Sequence, residues 1–153
     1  MSSTTDHTIV LSTAVPFNIE GRVQEDYGSG TIIPGYLIEY DANEHLVAHA
    51  TGTGFHQRMV AIENPFDDDN AAAAIDSPYL TADTVRYIYA LPGDLLYMYL
   101  ATGTAVRGRS RLVSNGDGTL RVSTSGSADL IIVGVPHEDL VCATDTRLRV
   151  RIV

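Results

Sequence analysis

Arg109-Ser110-Arg111-Leu112-Val113-Ser114, then Asn115-Gly116-Asp117-Gly118, then Thr119-Leu120-Arg121-Val122, is the stretch on which the reading of this chain turns. Two short apolar-alternating runs flank four residues rich in the left-handed formers that a tight hairpin needs. Upstream, Leu91-Pro92-Gly93-Asp94 is a turn that releases an apolar run, Leu95 to Ala101. Downstream, Leu130 to Val135 is β-rich and ends at Pro136. The second half therefore reads as a string of strands. It closes on Arg147-Leu148-Arg149-Val150-Arg151-Ile152-Val153, a period-two alternation with one apolar face and one carrying three guanidinium groups.

The first half is less regular. Tyr36 to Tyr40 reads as a strand, with Leu37 and Glu39 on one side and Tyr36, Ile38 and Tyr40 on the other. Gly21 to Gly35 reads as irregular loop or short strands joined by turns. Glu44 to Ala50 and Arg58 to Glu63 are further strands, the latter broken at Asn64-Pro65. From Phe66 to Thr84 the pattern disappears, leaving a loop of about twenty residues of the kind that is usually functional. Its alanines suit one helical turn capped by Asn70. Strand returns at Val85 to Leu91 and at Leu95 to Ala101, where Leu96, Met98 and Leu100 face one way and Tyr97 and Tyr99 the other. Both faces of that last strand are apolar, so both must be covered. Covering by other copies of the chain predicts a homotrimer with Tyr97 and Tyr99, or Leu96 and Met98, at or near the subunit contact.

At 153 residues the chain has room for one domain with a real core. The division expected is an N-terminal arm over 1–16 and a single β-rich domain over 17–153. Ile9, Val10, Leu11 and Val15 make the arm apolar and β-prone, Pro16 marks it off, and the polar tail before it is expected to be disordered. An apolar run of this kind calls for a sheet edge as partner, either on another protein or on its own domain.

All ten basic residues are Arg, against nineteen carboxylates, for a formal net charge of -9. Residues 1–76 hold twelve acids and two Arg, and residues 77–153 hold seven acids and eight Arg, so the halves carry -10 and +1. A Lys-free acidic surface suits concentrated salt, where screening shortens the reach of carboxylate repulsion to about 3 Å at 1 M. A genome that encodes Arg in preference to Lys explains the same composition. Either way, nucleic acid is not the expected partner, because phosphate neutralisation needs a basic face. No apolar run approaches the roughly 18 residues of a membrane span, and Met1-Ser2-Ser3-Thr4-Thr5-Asp6 lacks the pattern of a signal segment. The expectation is a protein made in a cell's cytoplasm, with no membrane partner.

The candidate chemical sites are sparse. His45 and His49 lie four apart beside Glu44, but the zinc-helix motif places its Glu directly after the first His, and no third ligand is evident. Asp67, Asp68 and Asp69 offer oxygens to a cation, in a loop without the glycine and closing Glu of an EF-hand; a solvated acidic loop is the default. Gly28-Ser29-Gly30 and Gly52-Thr53-Gly54 lack the third glycine of a dinucleotide fingerprint. Cys142, the single cysteine, is most simply a small buried apolar residue. No Gly-x-Ser-x-Gly elbow occurs, and Asp145-Thr146 is followed by Arg147 where an aspartic protease needs Gly. The signature segments of trimeric β-barrel nucleotide hydrolases have no counterpart. No catalytic residue and no cofactor are assigned.

Several segments together resemble a known family. These are Gly35-Tyr36-Leu37-Ile38-Glu39, Ala61-Ile62-Glu63-Asn64-Pro65, Leu91-Pro92-Gly93-Asp94, Leu112 to Leu120, Ile132-Val133-Gly134-Val135 and Arg149-Val150-Arg151-Ile152-Val153. Over about residues 35–153 the chain looks like the small head decoration proteins of tailed bacteriophages and haloarchaeal tailed viruses. The resemblance implies an all-β fold, a small β-barrel or β-tulip-like domain. It implies a structural virion protein that trimerises on the outer surface of an HK97-type capsid, binds the major capsid protein and cements neighbouring subunits. In that setting the edge awaiting Ile9, Val10, Leu11 and Val15 belongs to the capsid or to a neighbouring copy. The competing expectation is a stand-alone β-barrel, ligand-binding or hydrolytic, whose ligand sits against the 66–84 loop.

Overall fold

The structure, a computed structural model, describes residues 8–14, 19–52, 57–65, 71–124 and 133–153. Val15, Asp67, Asp68, Asp69, the Asn70 cap and the beginning of the Leu130 run lie outside the described residues.

The fold is nearly all β. In chain order, β1 (Val10–Ser12) is followed by a short 3₁₀ turn (Ile19–Arg22), then β2 (Gln24–Tyr27), β3 (Leu37–Tyr40), β4 (Leu46–Ala48) and β5 (Met59–Ala61). A second 3₁₀ turn (Ala71–Asp76) precedes β6 (Thr84–Tyr89) and β7 (Leu95–Leu100). The remaining strands are β8 (Ala105–Val106), β9 (Leu112–Ser114), β10 (Leu120–Val122), β11 (Gly134–Pro136), β12 (Leu140–Val141) and β13 (Thr146–Ile152).

Two sheets divide the chain. The first runs β2-β6-β5-β3-β4, antiparallel throughout, and a bridge from Gly28 to Leu46 curls its two edges toward each other. The second runs β7-β10-β9-β11-β13 and closes on itself through a six-residue β13–β7 ladder from Thr146↔Leu100 to Arg151↔Leu95. It is a closed five-stranded barrel, which removes its own edges. A small β8–β12 ribbon projects from it.

Strict alternation builds the barrel core. Leu96, Met98 and Leu100 on β7 and Leu148, Val150 and Ile152 on β13 all point inward and are at most 2% exposed. The first sheet differs because both its faces are covered. Leu37, Val60 and Ile88 join the barrel's core, whereas Ile38, Met59, Ala61, Val85 and Tyr87 form a second core within the curl. That double burial is why the alternation in Tyr36 to Tyr40 is imperfect.

The hairpin between β9 and β10 is the joint between the sheets. Its strands pair in register from Leu120↔Ser114 to Val122↔Leu112, and Gly116 and Gly118 hold φ values of +91° and +86°. Gly118 donates its N–H to the His49 carbonyl and accepts from the Leu37 N–H, lying across β3 and β4. A Cβ on Gly118 would come within 2.5 Å of Tyr36 Cδ2, so the close approach and the positive φ both call for glycine.

Two expectations are corrected. Residues 8–14 do not stand apart as an arm. β1 pairs antiparallel with the start of β7, Ile9 is wholly buried, and its backbone accepts from the Tyr97 N–H at 2.8 Å. The sheet edge that this apolar run calls for belongs to its own domain. Nor are Leu96 and Met98 available to another subunit. Both point into the barrel core and are 0% exposed, so that face of β7 is covered within one chain, while Tyr97 and Tyr99 on the other face are half-buried.

Candidate functional site

β2 is an edge strand whose four residues, Gln24 to Tyr27, are all exposed. It places carboxylates and phenol rings together at the rim of the first sheet. Asp26 accepts from the Tyr40 hydroxyl at 2.8 Å and from the Tyr27 N–H at 2.8 Å, and Tyr40 and Tyr87 hydroxyls meet at 2.9 Å. The Tyr40 hydroxyl and the Tyr27 amide hold the Asp26 carboxyl below its ordinary pKa, while burial and the hydrogen bonds to Tyr87 and Asp26 push the Tyr40 hydroxyl upward. Tyr27 lies 4.8 Å from His45, tilted by 52°. A cleft of about 450 Å³ opens here, lined by Asp26, Tyr40 and Glu44.

A second cleft, of about 260 Å³, is lined by Asn64, Ser77, Pro78, Tyr79, Asp83 and Thr84, against the described part of the 66–84 loop. Burial raises the Tyr79 hydroxyl's pKa, and it donates to the Ile62 carbonyl at 2.7 Å, so it serves there as a fixed donor.

Three polar nodes inside the molecule hold its parts together. Asp94, wholly buried, accepts from Arg22 at 2.6 and 3.2 Å, from the Ala14 N–H at 2.9 Å and from the Leu91 N–H at 2.8 Å. Burial alone would raise its pKa, but these donors outweigh burial and hold the carboxyl below its ordinary value. Arg147 lies over the Tyr99 ring at 4.4 Å, pairs with Asp76 at 2.6 Å and donates to the carbonyls of Pro34 and Ile75, clamping the second 3₁₀ turn to the barrel. His49 Nδ1 meets Ser114 Oγ at 2.7 Å, and its Nε2 lies 3.6 Å from Glu39. That last set has the composition of a hydrolase triad. Ser114 and His49 are both 0% exposed, however, and the Ser114 hydroxyl also accepts from the Gly116 N–H, so the set ties the hairpin to β4 with no path to a substrate.

Of the residues singled out from sequence, Ile9, Leu96 and Met98 lie in the core, Val10 and Leu11 are half-buried in β1, and Tyr97 and Tyr99 are half-buried on the outer face of the barrel. Tyr99 is occupied by Arg147 and by an edge contact with Tyr36 at 5.5 Å. His45 and His49 are separated, one against Tyr27 and the other against Ser114. Among the described residues no three His, Cys, Asp or Glu side chains are grouped to hold a metal. Cys142 is buried, and burial raises its thiol pKa. Among the described residues no helix is long and apolar enough to cross a membrane.

Sequence reasoning did not single out the Tyr and carboxylate rim, and it read Arg109 to Arg111 as the start of an alternating run, whereas they lie in an exposed turn before β9. The signal for the turn was its composition, three Arg in five residues of a Lys-free acidic chain.

No protein-family model matches the sequence, and no curated protein matches it. Among solved structures, the chain is similar to the crystal structure of the head fiber gp8.5 N base in bacteriophage phi29, with a TM-score of 0.56 and 11% identity. The likeness covers 86% of this chain and 92% of that one. The two share a fold.

Proposed function

We propose that this protein is a structural component of a tailed-virus particle, seated on the outside of the head as a base or decoration domain. The observation that carries the reading is the shared fold with the base domain of a phage head fiber, extending over nearly the whole of both chains. The sequence resemblance to head decoration proteins points the same way from a separate direction. A closed barrel with internally paired Arg and Asp nodes suits a part that holds its shape on a lattice and does no chemistry.

In this reading the partner is the major capsid protein, and the domain is a homotrimer that cements neighbouring capsid subunits. The capsid-facing end is the one around the Leu91 to Asp94 turn. Leu91 (40% exposed) lies in that turn and Val153 (43%) follows Ile152, whose carbonyl accepts from the Gly93 N–H. Exposed apolar residues grouped this way are what a docking surface presents. A Lys-free acidic exterior further suits a halophilic host.

Mass spectrometry of particles purified by density gradient tests the reading. The protein should be present at many copies per particle. Its absence from purified particles, together with a small molecule bound in the Asn64 to Thr84 cleft, would establish the stand-alone binding protein instead.

A further inference from the structure

The rim cleft of the first sheet combines two carboxylates, Asp26 and Glu44, with the phenol rings of Tyr40 and neighbouring Tyr27, which are 37% and 43% exposed. That combination fits one chemistry closely. A guanidinium group is planar, pairs with carboxylate oxygens in its plane and stacks on an aromatic face out of it. The molecule already contains such a cradle, where Arg147 lies over Tyr99 and pairs with Asp76.

The barrel carries the matching group. Arg107, Arg109 and Arg111 are exposed on the turn after β8, and among the described residues their guanidinium groups make no hydrogen bond or ion pair. The turn's backbone is well held. Ser110 Oγ accepts from the Arg107 N–H at 3.0 Å, the Ser110 N–H donates to the Arg107 carbonyl at 2.7 Å, and Asp139 accepts from the Gly108 N–H at 2.8 Å. Beside it, on the β8–β12 ribbon, Val141 is 77% exposed. The three cations stand on the half of the chain with net charge +1, and the Tyr and carboxylate cleft stands on the half with -10.

We propose that the Arg107 to Arg111 turn of one copy docks into the Asp26, Tyr40 and Glu44 cleft of a second copy. Charge complementarity selects the occupant, since the chain itself supplies an exposed cationic turn of the required chemistry. The contact is head-to-tail, and a head-to-tail contact between identical chains closes into a ring or continues as a filament. It rests on the preceding reading only for the number of copies, three, at which the ring closes. Stacking on Tyr27 and Tyr40 keeps part of the attraction where salt screens the ion pairs.

Sedimentation velocity of the full chain at micromolar concentration in about 0.15 M salt tests this without any capsid. The parent should self-associate. R107E/R109E/R111E should keep the parent's melting temperature and associate at least about tenfold more weakly, as reversal of a charged contact does. Glu44→Arg, at an exposed position, should do the same, and mixing the triple variant with E44R should restore association between unlike chains, in alternating order and without a closed ring of three. A parent that is monomeric, or a triple variant that associates as the parent does, overturns the proposal. So does a triple variant that still associates but no longer binds particles, because the turn would then face the capsid. Loss of particle binding by the parent itself would refute the virion reading and leave this contact standing.

Discussion

The two sheets use the same residue types to opposite ends. In the barrel, β7 and β13 alternate strictly, and the Arg side chains between the buried residues are drawn into internal contacts: Arg147 to Asp76 and the Pro34 and Ile75 carbonyls, Arg151 to the Gly93 carbonyl. In the first sheet both faces are apolar, its cation Arg86 is only 5% exposed, and its carboxylates lie toward solvent at Glu25, Asp26 and Glu44. Arg86, Arg147 and Arg151 are used in holding the fold, the Arg107 to Arg111 turn excepted, and the carboxylates of the first sheet's rim are left outside. A charge asymmetry legible in composition is thus a structural one, with the barrel as scaffold and the first sheet as a charged exterior.

The sharpest way to break that contrast is at the node joining β1, the first 3₁₀ turn and the barrel. Asp94→Ala leaves Arg22 and the Ala14 and Leu91 amides without their acceptor, and should cost about 4 kcal/mol, the scale for removing one partner of a buried pair. Urea unfolding measures it, and a loss under about 1 kcal/mol would refute the scaffold role of the node. The same carboxyl sets the acid limit. Its folded pKa is depressed, so its stabilisation is complete above the unfolded value of about 3.9 and is lost as pH falls through the lower folded value. Melting temperatures should therefore drop steeply below about pH 4, and the drop should be shallower in D94A.

Next in size is the barrel wall. Met98→Ala should cost about 3 kcal/mol, since the side chain is 0% exposed and a closed barrel collapses poorly around a cavity. If Met98 were a subunit contact, the loss would depend on protein concentration; the expected loss relative to the parent is the same at every concentration. At the rim, Tyr40→Phe removes hydroxyl contacts to Asp26 and Tyr87 and should cost only about 1 kcal/mol. The smallest effect expected is that of salt. The melting temperature should rise between 0.01 M and 3 M as carboxylate repulsion in residues 1–76 is screened. A flat or falling curve would leave genome composition as the explanation for the missing Lys.

What was legible in the sequence was whatever local chemistry controls. Asn115 to Gly118 became the hairpin turn because Gly116 and Gly118 alone take the required φ, and the Arg147 to Val153 alternation became β13 because one buried face enforces a period of two. Contacts set by distant chain were not legible. That Thr8 to Ser12 finds its sheet edge on β7 depends on a neighbour more than 80 positions away, and that Leu96 is covered depends on the barrel closing around it. Gln24 to Tyr27 shows no alternation because neither face of that edge strand is buried, so β2 could only be read as loop or short strand. The pairing of His49 with Ser114 joins residues 65 apart with no motif between them. The rim cleft is likewise assembled from β2, β3 and the turn before β4, which meet only once the sheet has formed.

Reconstitution tests the central claim most directly. On the proposed function, purified protein mixed with tailed-virus heads that lack it, then pelleted, should leave the supernatant and saturate at a fixed number of copies per particle. Leu91→Asp together with Val153→Asp should keep the parent's fold and stay in the supernatant. Parent protein that remains unbound at micromolar concentration, or that pellets without saturating, contradicts a seat on the head.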